Sequence, residues 1–164
     1  MWCEAIVRNA AEHGDLAGRK LDYVDIRWDQ RRSTFRGRSR DGEEVRVLLP
    51  RGQILRHGDV LFEDSAQALL VNVLPCELIV VRSDNTCLVA ELALELGNLH
   101  WPTQVTEEEI LFPESEDALA AARHLGLNWT TETRRFEPLE IASATVSGSP
   151  AIRILRSGDT RVDQ

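Results

Sequence analysis

The sequence predicts two small domains, an all-β unit followed by a ferredoxin-like α+β unit. Three observations predict it. Up to residue 75 apolar and polar residues alternate, and no helical pattern of useful length appears. At Pro75 the pattern changes to a continuous apolar run, Leu78 to Val81. From there the segments fall in the order β-α-β-β-α-β.

Val24, Ile26 and Trp28 alternate with Asp25, Arg27 and Asp29, the period of a half-buried strand. Val45, Val47 and Leu49 do the same against Glu44, Arg46 and Leu48. Thr34 to Arg40 lies between them and leads into Asp41-Gly42, a two-residue hairpin turn. Gly58-Asp59 is a second turn, followed by strands over Val60 to Glu63 and Ala68 to Leu74.

The run Leu78 to Val81 predicts a strand buried on both faces. A helix follows from Thr86, capped by Ser83-Asp84-Asn85, with Leu88, Leu92 and Leu96 on one stripe beside Val89 and Ala93. Gly97 is its expected left-handed stop. Thr103 to Val105 and Glu109 to Phe112 are short strands. Glu114 to Leu125 is a second helix with an acidic first turn, ended by Gly126. Asn128 to Arg135 is the last strand. The expected domains are therefore 1–75 and 76–140. The remainder, 141–164, is rich in Ser, Ala and Gly and is expected to be a mobile tail.

The chain has 164 residues, 43% of them hydrophobic, enough for a packed core. No apolar run approaches the roughly 18 residues of a membrane helix, and Met1-Trp2-Cys3-Glu4 does not begin a signal peptide. A cytoplasmic protein is expected. Cys3, Cys76 and Cys87 form no C-x-x-C pair, which argues against a disulfide framework or a four-cysteine zinc site. Cys87 lies in the first helical turn, where a thiolate is favoured.

Charge is unevenly placed. Residues 1–75 hold 12 basic and 12 acidic residues, and residues 76–164 hold 7 and 15, so the whole net charge of −8 lies in the second part. Such a field attracts cations and opposes nucleic acid. The basic run Arg31, Arg32, Arg36, Arg38 and Arg40 has only Phe35 as an interleaved aromatic, and Arg36 to Arg40 alternate as on a solvated or edge strand. Docking an acidic partner protein suits it better than nucleic acid. Phosphate-loop, dinucleotide, zinc-protease and nucleophile-elbow motifs are absent, and no enzyme is expected.

The functional candidate is His100, in Leu96-Gly97-Asn98-Leu99-His100-Trp101-Pro102. Trp101 precedes proline and is pushed toward extended backbone, so His100 sits in a stiff corner beyond a helix C-terminus, the end that favours a cation. Imidazole suits nickel, copper and zinc alike. One imidazole holds a divalent ion poorly, but in a two-fold dimer a residue near the axis meets its own copy.

Leu96-Gly97-Asn98-Leu99-His100-Trp101-Pro102-Thr103-Gln104 resembles the Leu-Gly-Asn-x-His-x-Pro-x-Gln signature of the urease accessory nickel metallochaperones, the UreE family. Leu49-Pro50-Arg51-Gly52, Leu55 and Gly58-Asp59-Val60-Leu61 form a second matching stretch, and Phe136-Glu137-Pro138 a third. The resemblance covers residues 15 to 138.

The resemblance implies the same two domains. It implies a homodimer that carries Ni²⁺ at His100, with Zn²⁺ or Cu²⁺ also binding in vitro, and delivers it for urease active-site assembly. It implies that the β domain docks the urease assembly proteins, including the nickel-insertion GTPase. This chain departs from the family in two places. Where well-known members carry histidines around the start of the second helix, it has Phe112-Pro113-Glu114-Ser115-Glu116-Asp117, whose carboxylates suit a helix N-terminus. Its tail, Ile141 to Gln164, holds no histidine, where many relatives have a histidine-rich one. Fewer and weaker metal sites are expected, and the rival reading is an adaptor of the same fold with reduced or lost metal binding. His13, His57 and His124 are expected to be non-ligands, with His57 exposed beside its turn.

Overall fold

The structure, a computed structural model, describes residues 1–11 and 16–139. The expected tail at 141–164 and His13 lie outside the described residues. Eleven strands are present among them: β1 (Trp2–Cys3), β2 (Arg8–Asn9), β3 (Lys20–Ile26), β4 (Thr34–Arg38), β5 (Glu44–Leu48), β6 (Asp59–Glu63), β7 (Gln67–Val73), β8 (Cys76–Arg82), β9 (Gln104–Val105), β10 (Glu109–Phe112) and β11 (Trp129–Arg134). The helices are α1 (Thr86–Asn98) and α2 (Glu116–His124), with a short 3₁₀ helix at Trp28–Gln30.

The first part is all-β, as the alternation predicts. Two sheets, β1-β5-β4 and β2-β6-β7-β3, enclose a core of Val24, Ile26, Leu61, Leu69, Val71 and Val73 from one and Cys3, Val45 and Val47 from the other. β5 keeps the expected alternation, with Val45 and Val47 buried while Glu44 and Leu48 face out. Burial also pushes the Cys3 thiol pKa up.

Four local expectations are corrected. Strands β1 and β2 went unseen, because two residues carry no period to read. β3 starts at Lys20, its exposed end held by parallel pairing along the whole of β7. Trp28 leaves the strand period for the 3₁₀ helix, where Gln30 Oε1 accepts from the Arg27 backbone N–H at 2.8 Å. The β4–β5 hairpin has a three-residue loop: Ser39 N–H donates to Glu43 O, and Gly42, at φ 92°, closes Arg40-Asp41-Gly42.

The second part is ferredoxin-like. Its sheet order is β11-β8-β10-β9, all antiparallel, with α1 and α2 on one face. β8 is buried on both faces, as its apolar run predicts. Ile79 and Val81 pack under Leu92, Leu96, Ala118, Leu119 and Ala122 of the helices. Leu78 and Val80 meet Leu111 and Phe136 on the other face. α2 is shorter than expected, because Ser115, its N-cap, is still extended and Leu125 is already the C-cap.

Phe136 is fully buried and meets the Trp28 ring of the β domain edge-on, with centroids 5.2 Å apart. Arg135 Nε donates to Val73 O at 3.1 Å. Glu137 accepts from the His57 backbone N–H at 3.2 Å and lies 3.8 Å from the Arg31 guanidinium, which also donates to Leu55 O. One expectation falls here. His57 is half-buried with its Nδ1 shielded and unpartnered among the described residues, and Arg31, in the same seam, is buried.

Candidate metal centre

The helix leading to His100 is fixed at both ends. Asn85 caps it, its Oδ1 accepting from Cys87 N–H at 3.1 Å and Leu88 N–H at 3.4 Å. Leu92 and Leu96 anchor it on the sheet. At the other end Leu99 is the cap, His100 N–H donates to Gly97 O at 3.0 Å, and Trp101 N–H donates to Leu96 O at 2.9 Å. This paired closure, a Schellman motif, puts the residue after the cap in the left-handed region.

That residue is His100, at φ 53°, the one non-glycine with positive φ among the described residues. The expectation that Gly97 makes the turn is therefore corrected: Gly97 lies inside α1 with helical backbone. The register is set beyond the helix. Trp101 packs into the α1–α2 core, and its indole N–H donates to Pro113 O at 2.8 Å, so the reversal falls one residue before it. A left-handed non-glycine costs about 1–2 kcal/mol. Strain of this kind clusters at functional positions.

The rest of the motif is structural. Thr103 Oγ1 donates to Trp101 O at 2.8 Å. Gln104 Oε1 accepts from Glu137 N–H at 2.8 Å, and Thr103 O accepts from Leu139 N–H at 2.7 Å. The third matching stretch is thus tied to the first. The second stretch also builds structure: Gly52, at φ 89°, completes a Pro50–Gln53 turn, Leu55 is core, and buried Asp59 accepts from Asn9 Nδ2 and Arg56 N–H. Of the three, the first presents an exposed imidazole, that of His100.

His100 is exposed, and its imidazole makes no hydrogen bond or ion pair among the described residues. Glu114, Glu116 and Asp117 are also exposed, the last two in the first turn of α2. His124 ends α2, and Cys87 is exposed at the start of α1. Among the described residues no three His, Cys, Asp or Glu side chains gather in a group able to hold a metal. Beside His100, α1 and α2 flank a groove of about 550 Å³ lined by Glu91, Leu94, Leu99, Asp117, Ala121 and His124. Leu94 and Leu99 are 64% and 42% exposed. Sequence reasoning missed this groove, because Leu94 lies off the core stripe and reads as an isolated surface leucine. No helix among the described residues is long and apolar enough to cross a membrane.

Comparison with known proteins gives a consistent answer. Residues 3–74 match the N-terminal domain of the UreE urease accessory protein and residues 76–151 its C-terminal domain. The chain is 33% identical over 104 residues to the urease accessory protein UreE of Flavobacterium johnsoniae, covering 62% of this chain and 63% of the relative, just under two thirds of its length. It is 30% identical over 115 residues to that of Acetivibrio thermocellus, covering 70% and 75%. It is 26% identical over 148 residues to that of Helicobacter pylori strain G27, covering 87% of each.

Proposed function

Because this chain belongs to the UreE urease accessory protein family, we propose that it is a cytoplasmic nickel metallochaperone of urease maturation, working as a homodimer and not as an enzyme. Two copies of His100 share one Ni²⁺ across the dimer axis. The ion is cargo, so a site with few protein ligands and open coordination positions suits its release. Zn²⁺ and Cu²⁺ compete for the same imidazoles in vitro. The all-β domain docks the urease assembly proteins, including the nickel-insertion GTPase.

The observation that carries this reading is the His100 corner. An imidazole with no partner among the described residues is held in a strained conformation where α2 uses glycine. Two neighbours support a second copy there. Leu94 and Leu99 expose apolar surface beside the corner. Gly97 has helical backbone, and a Cβ at that position meets nothing within 4 Å. Nothing among the described residues asks for glycine at Gly97, and close approach of another backbone would ask for it.

The test is calorimetric titration with Ni²⁺ combined with mass measurement in solution. One tight ion per dimer, abolished by His100→Ala, is expected. One or more tight ions per monomer, or unchanged affinity in His100→Ala, rejects the shared site. The adaptor reading draws on the donor count within one chain, and a dimer with no tight nickel site would favour it.

A further inference from the structure

The outer face of the β1-β5-β4 sheet is uncovered among the described residues and has a distinct chemistry. Register places Trp2 beside Arg46 and Arg46 beside Arg36 in one row across the three strands. Leu48 pairs with Thr34 in the next row one way, and Glu44 with Arg38 the other way. Trp2 is 66% exposed and Leu48 51% exposed. The Arg46 guanidinium lies 5.7 Å from the centre of the Trp2 ring. Glu44 is shared, 2.8 Å from Arg36 and 3.0 Å from Arg46, and these two guanidinia hold its carboxyl below the usual range. Arg38 donates to the Gly42 carbonyl at 3.3 Å and has no carboxylate partner among the described residues. The face therefore carries three guanidinium groups against one carboxylate, on a chain of net charge −8.

We propose that this face docks an acidic segment of a protein partner that also carries apolar side chains. The carboxylates pair with Arg36, Arg38 and Arg46, and the apolar groups rest on Trp2 and Leu48. Exposed tryptophan and arginine are the residue types that dominate binding energy at protein interfaces. The planar fork of arginine favours carboxylates. Charge selects against nucleic acid: three cations, two of them already paired with Glu44, are few against the roughly 6–10 phosphate contacts of a typical binding protein. The acidic remainder of the chain repels a long polyanion as well. The proposal rests on the reading that the β domain docks a partner. It is independent of nickel, because the His100 corner lies in the other domain.

The test uses the full chain and a fluorescent synthetic peptide of alternating glutamate and leucine. Binding is read by anisotropy and by the indole N–H signal of Trp2, assigned with Trp2→Phe. Expected are saturable binding, a shift of the Trp2 signal, and affinity weakened about tenfold both by Arg36→Glu with Arg38→Glu and by Trp2→Ser. All these positions are exposed strand residues, so circular dichroism and nickel stoichiometry should match wild type. Equal binding of a glutamine-leucine peptide, or a Trp2 signal that does not move, overturns the proposal. Tighter binding of a single-stranded oligonucleotide to the same face also overturns it. A loss of nickel binding with peptide docking intact would count against the proposed function and leave this inference standing.

Discussion

His100 and Gly126 hold the same position in the same motif at the ends of the two helices. In α1, Leu99 is the cap, His100 has φ 53°, and Trp101 N–H reaches back to Leu96 O. In α2, Leu125 is the cap, Gly126 has φ 66°, and Leu127 N–H reaches back to Ala122 O. Glycine takes this conformation at no steric cost, and histidine does not. The domain thus contains its own control for the residue that the proposed chemistry requires.

His100→Gly should therefore separate stability from function. Relief of the left-handed strain should stabilise the chain by about 1 kcal/mol, raising the thermal midpoint, while the tight nickel site disappears. Gly126→Ala should cost about 1 kcal/mol by the same argument. A lower midpoint in His100→Gly would show that the corner stores no strain.

Gly97→Ala tests the close approach of two copies. In an isolated helix the change favours folding by about 0.5–1 kcal/mol. If a second backbone lies against Gly97, the added methyl group should weaken dimerisation and nickel binding together. Unchanged dimer dissociation, measured by analytical ultracentrifugation, would place the interface elsewhere.

Ligand chemistry predicts how nickel binding depends on pH. Imidazole binds metal only when neutral, so a histidine site weakens as pH falls through the ordinary histidine range near about 6.5. Carboxylates titrate near about 4 and keep binding at lower pH. Calorimetry at pH 7.5 and 5.5 distinguishes them. Equal affinity at both would point to Glu114, Glu116 or Asp117 in place of His100.

His57 predicts a second pH effect, on stability. Burial is the main cause of its lowered pKa, Arg135 adds to it, and Glu137 opposes it. As pH falls, the unfolded chain takes up this proton first, near about 6.5. Stability is therefore complete above that value and is lost between it and the lower folded pKa. Urea midpoints should fall across this window and fall less in His57→Gln. An equal fall in the variant would assign the effect to other groups.

The seam between the domains should contribute measurably to stability. Phe136→Ala removes a fully buried ring and should cost about 3–5 kcal/mol. A double-mutant cycle with Trp28→Ala should return about 0.5–1.5 kcal/mol of coupling for the edge-on pair. Additive losses would mean that each ring packs independently.

The fold was legible because its two halves use different periods. Val45 and Val47 against Glu44 and Leu48 mark a half-buried strand, Leu92 and Leu96 a helix stripe, and the run through Val80 a strand covered on both sides. What escaped had no local signal. Strands β1 and β2 are two residues long, and β3 extends to Lys20 because of its distant partner β7. Glycine preference points to Gly97 as the helix end, whereas the constraint that sets it is the indole bond from Trp101 to Pro113. His57 reads as a surface residue beside its turn, but Glu137, 80 positions along the chain, accepts from its backbone N–H. His100 was visible as a corner, but its strain was not, since a φ angle is set by what the flanking residues hold.

The ring contact between Trp28 and Phe136 also bears on the order of events during synthesis. Trp28 leaves the ribosome early, in the 3₁₀ helix between β3 and β4, while Phe136 follows the last strand of the second sheet. Until then the nascent β domain presents an indole edge and the buried guanidinium of Arg31 to solvent. Domains generally fold as units in the order they are made. Here the first becomes complete only when the second delivers its final segment, so premature termination before residue 136 should yield a β domain that is folded but sticky, a natural substrate for general chaperones.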